Sequence, residues 1–365
     1  MCYISRVRIS SSPGLLFTYA ASSRFRTDVK RWRIFADVSV DIGITLECAA
    51  TLLPKPFFLP CICLGNMFKA CCGVAAGACG GSINLHWAKG SDISDINAKS
   101  GAQHTVTGAI GLIFAGIFAK SVNNVSSRSL WMLYSALTYI HLYGNLKCMR
   151  LISFDYLNTI RMDMILRQYN IRENSAAATT TIPTPQEIAM REPLWFQIPF
   201  FGRTLKRSES SEKSSSIHFG VSYNEFSIRS GKPIDMLQSD LIRTTKLQSN
   251  KKIQTQHTAS AADAYLISSG VHGAEVVVSF LTDSSPEQQT KAYFHAWILG
   301  RELQERLDKT SNDTTMDLAS RLEVEAESKI ILESSWGKFR QSCIDAGWHL
   351  IQSELKTGGY EVKVE

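Results

Sequence analysis

Asp37, Asp41, Lys69, His86, His104 and His141 lie in or beside long uncharged runs between Ile34 and Leu146. Asp37 and Asp41 are one helical turn apart and share a face. Ionisable groups in apolar surroundings do one of two things. They line a polar pathway or ligand pocket between helices, or they pair with one another to fix helix register. Both readings stay open on residue types alone. Cysteines are the other reactive group. Seven of the nine fall between Cys48 and Cys148 with no CxxC pair, which reads as reduced, buried thiols rather than a disulfide framework. Cys61 and Cys63 are separated by one residue, Cys71 and Cys72 are adjacent, and Cys79 stands alone. Zinc sites usually use pairs about two to four residues apart, so no metal is expected.

The stretch KACCGVAAGACGGS (Lys69 to Ser82) invites a phosphate-loop reading. It has no lysine before its serine, and the GxGxxG fingerprint is absent from the chain. Neither GxSxG nor HExxH occurs, and His272 sits in SGVHG, a loop where a solvated histidine is ordinary. No catalytic residue, cofactor or enzymatic activity is expected. Gly73, Gly77 and Gly81 recur every four residues, with Ala70 and Ala76 beside them. On a helix they form one strip of small side chains, the packing surface by which helices approach closely in lipid.

Four segments must position these groups. Ile34 to Leu53 carries Asp37, Asp41 and Glu47; Phe57 to Phe68 leads through Lys69 into uncharged Ala70 to Ala88; Ser100 to Ala119 has only His104; Leu130 to Leu146 is aromatic-rich with His141. A spanning helix needs about 20 apolar residues, and these lengths predict a multi-helix membrane bundle. The polar KGSDISDINAKS (Lys89 to Ser100) supplies N-caps. Lys147 to Tyr169 reads as an amphipathic helix with Arg150, Arg161 and Arg167 toward water. SAAATTTIPTPQE (Ser175 to Glu187) has the composition of a linker.

Beyond the linker the pattern changes to a soluble α+β domain. IHFGVSYNEF has partial strand alternation, and AYLIS and AEVVVSFL flank SGVHG as a hairpin. Ser285-Pro286-Glu287-Gln288 starts a helix running to about Leu307. A second helix, around Ser328 to Ala346, stops at Gly347. WHLIQSEL and YEVKVE are expected as closing strands across KTGG. The net charge of +6 is modest, and the basic cluster Arg24 to Arg33 precedes an apolar segment, a membrane-flanking pattern rather than a nucleic-acid groove. The serine- and arginine-rich first 27 residues have no acid, a transit-peptide-like composition.

KRWRIFADVSVDIGITLE (Lys30 to Glu47), LGNMFKACCGVAAGACGGSINLHWAKG (Leu64 to Gly90), DISDINAKSGAQHTV (Asp92 to Val106) and YIHLYGNLKCMRLISFDYLNTIR (Tyr139 to Arg161) occur in that order. With REPLW (Arg191 to Trp195) and DAGWHLIQSEL (Asp345 to Leu355), they resemble the root UVB sensitive (RUS) family over most of the chain. The resemblance implies a multi-pass membrane protein with a soluble C-terminal domain. It also implies a plant context of seedling development, UV-B tolerance and vitamin B6 homeostasis, and no established enzymatic activity.

Polar residues within the matching motifs are Asp37, Asp41, Asn66, Lys69, His86, Asp95, Lys99, Gln103, His141, Asn145 and Arg150, and they are expected to form an interior network. Family members usually carry a segment upstream of WRIFAD, so the resemblance implies a shortened N-terminal portion. The expected organisation is a variable or truncated N-terminus of targeting-like composition over 1–29, a helical membrane domain over 30–172, a linker and junction over 173–210, and an α+β domain over 211–365. Membrane lipid and other family members, in homo- or hetero-oligomers, are the expected partners. An intracellular membrane, including that of a plastid or mitochondrion, is the expected location. The expected role is transport or scaffolding in small-molecule homeostasis, with partner recruitment through the C-terminal domain as the alternative.

Overall fold

A computed structural model describes residues 14–19, 21–22, 25–88, 92–122, 125–173, 182–194, 216–233, 235–239, 264–272, 274–281, 284–309, 316–352 and 354–355. The chain is mainly helical with one small sheet, and it divides into two compact units: Met1–Ile152 with Pro193–Phe196, and Ser153–Glu192 with Gln197–Glu365.

The first unit is built from α1 (Val29–Ala50), α2 (Lys55–Ala88), α3 (Ile93–Val122) and α4 (Ser127–Leu151). The segment expected from Phe57 through Lys69 to Ala88 is one continuous helix, α2. At about 1.5 Å per residue it is about 51 Å long, well over a bilayer core of about 30 Å. Among the described residues two helices are long and apolar enough to cross a membrane, α2 and the Ile93–Ser121 part of α3. Length is not what separates α1 and α4 from them. α1 carries Lys30, Arg31, Arg33, Asp37, Asp41 and Glu47, and α4 carries tyrosines, serines, an asparagine and three cations.

The helices α1 and α2 cross at close range through two glycines. A Cβ built on Gly43 would lie 2.8 Å from the Gly65 carbonyl oxygen, and one on Gly65 would lie 2.8 Å from that of Gly43. The absence of both side chains is what lets the two backbones meet. Phe17 and Phe25, upstream of α1, are buried against Trp32, so part of the N-terminal stretch belongs to this core.

The second unit contains α5 (Thr159–Glu173), α6 (Pro185–Arg191), β1 (Ser216–Phe219), α7 (Tyr223–Ser230), β2 (Tyr265–Ser269), β3 (Glu275–Phe280), α8 (Pro286–Lys309) and α9 (Leu318–Asp345). The strands are ordered β1-β3-β2, with β1 parallel and β2 antiparallel to β3. β3 is covered on both faces. Val276, Val278 and Phe280 enter the large core with α5, α8 and α9, whereas Val277 packs with Val221, Phe226 and Leu237. The hairpin therefore forms as its alternation predicts, with Tyr265 opposite Phe280. α8 starts where its caps place it: Ser285 N donates to Gln288 Oε1 at 2.8 Å, and Gln288 N to Ser285 Oγ at 3.3 Å. α9 ends ahead of Gly347, whose φ of 91° is left-handed, but it begins ten residues earlier than expected, capped by Asp317.

Three expectations change. Lys147 to Tyr169 is not one helix, because α4 stops at Leu151 and α5 starts at Thr159, where Asn158 Oδ1 accepts from Arg161 N at 2.8 Å. Arg161 is therefore buried rather than facing water. It lies 3.2 Å from Glu192 across α5 and α6, with the rings of Phe154 and Tyr156 against its guanidinium. α5 sits in the second unit although it was expected within the 30–172 domain, because Met162, Ile165, Leu166 and Tyr169 complete the large core. WHLIQSEL is not a strand. His349 makes an isolated bridge to Tyr156, and residues Leu350–Gln352 form a 3-10 turn. YEVKVE and most of the expected linker lie outside the described residues.

Candidate functional site

Several charged groups of the first unit, among them Arg33, Asp37, Asp41 and Glu47, gather along α1. Its face toward α4 is fixed by the one-turn spacing of Asp37, Asp41 and Thr45. Asp41 Oδ2 lies 3.0 Å from His141 Nδ1. Tyr134 OH donates to the Asp41 carbonyl at 3.1 Å and lies 2.8 Å from Thr45 Oγ1. Thr45 Oγ1 in turn donates to the same carbonyl at 2.7 Å. A cleft of about 420 Å³ lies beside these groups, lined by Thr45, Trp131, Tyr134, Thr138, Tyr139 and Leu142. One turn earlier, Arg33 Nη2 is 3.2 Å from Asp37 Oδ1. On the side toward α2, Glu47 Oε2 accepts from Lys69 Nζ beside the glycine crossing.

Two carboxylate oxygens remain. Asp37 Oδ2 and Glu47 Oε1 are buried and have no hydrogen-bond partner among the described residues. A buried acceptor without a donor is costly, and ordinary packing leaves few of them. Both lie on α1, about 15 Å apart along its axis at 1.5 Å per residue.

Of the eleven polar residues named from sequence, Asp37, Asp41 and His141 come together along the α1–α4 seam, and Lys69 joins α2 to α1. Asn66 and Asn145 donate to carbonyls of their own helices, Ile62 and His141. Asp95 and Lys99 pair with each other one turn apart at 2.7 Å on exposed α3. Gln103 and Arg150 are exposed, and His86 lies near the far end of α2. The eleven are thus not one interior network. Gly73, Gly77 and Gly81 point into open space, with nothing within 4 Å of an added Cβ among the described residues.

Sequence reasoning missed Gly43, Thr45, Glu47, Gly65 and Tyr134. Glu47 was visible as the third acid of its segment, but it falls off the face shared by Asp37 and Asp41. No metal-ligating cluster occurs among the described residues.

Residues 5–173 match the family described as "Vitamin B6 photo-protection and homoeostasis domain", and residues 242–363 match "Root UVB sensitive protein, C-terminal". The chain is 26% identical to "Protein root UVB sensitive 3" of Arabidopsis thaliana over 78% of its length and 58% of that protein's. It is 29% identical to "RUS family member 1" of Dictyostelium discoideum over 50% of the chain and 34% of that relative. With "Protein root UVB sensitive 2, chloroplastic" of Arabidopsis thaliana it shares 33% identity over 50% of the chain and 40% of that relative. These matches span between a third and three fifths of the relatives' lengths. No solved structure matches.

Proposed function

The chain belongs to the root UVB sensitive family, and we propose that it is a membrane protein acting in vitamin B6-related small-molecule homoeostasis, by transport or as a scaffold. Two helices able to cross a bilayer support the membrane part of this reading. A relative named as chloroplastic supports an organelle membrane as its location. The transport arm rests on one observation, the buried Asp37 Oδ2 that has no hydrogen-bond donor among the described residues. A carboxylate oxygen so placed can accept a proton or the N–H of a passing solute, whereas a group serving only to fix register would be satisfied inside the fold.

The first test is carbonate extraction of membranes from cells expressing the tagged chain, with protease protection of the C-terminal tag. Retention in the pellet is expected; release into the wash overturns the membrane reading. The second is uptake of a vitamin B6 vitamer into vesicles containing the wild type or Asp37→Asn. The substitution should abolish uptake with the amount of folded chain unchanged. Partner recruitment is the competing reading, favoured by the second unit having a continuous core of its own. It predicts that Asp37→Asn is tolerated in cells and that deletion of Pro183 to Glu365 is not.

A further inference from the structure

The helix α4 has two faces of different character. Tyr134, His141, Leu146 and Met149 turn toward α1. On the other side Met132 is 66% exposed, Ile140 65% and Leu151 74%, with Leu137 and Tyr143 also exposed, and Tyr139, 68% exposed, stands at the edge of this face where it also borders the cleft. Tyr139 and Tyr143 stack at 6.0 Å, and Lys147 Nζ sits 5.6 Å from the Tyr143 ring centroid. Arg128, Lys147 and Arg150 are the charged residues of the helix, and it contains no Asp or Glu.

We propose that this outer face lies flat in the headgroup layer of an anionic membrane leaflet, with Tyr139 and Tyr143 at the boundary of the acyl chains and Arg128, Lys147 and Arg150 against lipid phosphates. The proposal rests on the membrane reading above. Exposed Leu, Ile and Met need an apolar cover, while tyrosine hydroxyls and a lysine on the same face need polar surroundings. The bilayer interface supplies both. A second copy packed about a two-fold axis would bring cation against cation, since the surface meets itself in such a contact. Anionic lipid meets the same charges with the opposite sign. The chain also reaches α4 directly from α3, one of the two helices able to cross a bilayer, through the short connection 123–126.

The test places a benzophenone amino acid at Tyr143 of the full chain, reconstituted in vesicles of phosphatidylcholine with a minor fraction of phosphatidylglycerol. Irradiation should give lipid adducts in which phosphatidylglycerol exceeds its mole fraction several-fold. Lys147→Gln and Arg150→Gln should each reduce the excess, by up to roughly fivefold per cation removed. Adducts in proportion to vesicle composition would overturn the anionic preference. A cross-link to a second copy, or no lipid adduct while the chain stays in the carbonate pellet, would overturn the interfacial placement alone. Release of the chain by carbonate would instead overturn the membrane reading.

Discussion

Placing a single methyl group at the crossing of α1 and α2 should destabilise the first unit, while the same change on the glycine strip of α2 should not. In Gly43→Ala the new Cβ meets the Gly65 carbonyl oxygen at 2.8 Å and the Lys69 Cγ at 2.9 Å. The lysine stem can swing aside; the carbonyl is backbone and cannot move alone. Carbon–oxygen contacts between helices settle near 3.3–3.6 Å, so the helices must part by about 0.5 Å. Overpacking of this kind costs about 1–3 kcal/mol, against which alanine in a helix interior gains about 1 kcal/mol over glycine. The net expectation is a loss of about 0–2 kcal/mol for Gly43→Ala, and a similar loss for Gly65→Ala. The double variant should lose less than the sum, because the first methyl opens the gap that the second uses. Gly77→Ala meets nothing within 4 Å and keeps the same alanine gain without the overpacking, so it should be more stable than Gly43→Ala by about 1–3 kcal/mol. Thermal melting of the purified chain in one detergent, followed by loss of the monodisperse peak, ranks the variants. Equal melting shifts for Gly43→Ala and Gly77→Ala would refute the reasoning, since only one of the two sites has a backbone in the way.

Arg161→Met should cost the second unit about 3–5 kcal/mol in urea unfolding, because it strands the buried Glu192 carboxylate. Adding Glu192→Met should restore most of that loss; no recovery would mean that packing and not charge dominates there. His218 gives a pH dependence: burial and then the Arg229 guanidinium push its pKa below the ordinary 6.5, outweighing Glu275 at 3.1 Å. The unfolded chain therefore binds the proton first as pH falls. The contribution of His218 is fully present above 6.5 and declines from there toward its lower folded value. Melting curves from neutral to moderately acid pH should show a smaller decline for His218→Gln than for the wild type. An unchanged slope would remove His218 from the account.

Local chemistry in the second unit was legible because its signals are short-range. The capping box at Ser285 and Gln288, the alternation of the hairpin and the stop at Gly347 each depend on a few neighbouring residues, and each is found in place. What was not legible depended on partners far along the chain. Gly73, Gly77 and Gly81 advertise a strip by their spacing, but periodicity within one helix cannot say which face meets a neighbour. Gly43 is a lone glycine in its helix, and Gly65 stands in phase with the strip eight residues before Gly73, so nothing in either spacing marks the crossing; the meaning of each comes from the other helix. Arg161 was misplaced because a single amphipathic helix was drawn through residues 152–158. Asn158, a capping residue type directly before Thr159, was the available sign of a new start.

The site divides along the same line. Asp37 and Asp41 were recognisable from their shared face, yet the structure gives them different surroundings. Asp41 is tied to α4 through His141, and its carbonyl through Tyr134, with Thr45 of its own helix donating to the same carbonyl, as expected of a residue that sets helix register. Asp37 is tied on one oxygen to Arg33, on its own helix, and its other oxygen has no donor among the described residues. A purely structural role for both would make Asp41→Asn and Asp37→Asn similar in their effect on folding. The geometry instead separates them. Asp41→Asn weakens the hold of α1 on α4 and should lower the melting temperature. Asp37→Asn removes a buried charge whose one printed ion pair, to Arg33, lies on its own helix, so it should leave melting unchanged or raise it while abolishing uptake. A fall in melting temperature for Asp37→Asn as large as that for Asp41→Asn would return both acids to the structural role.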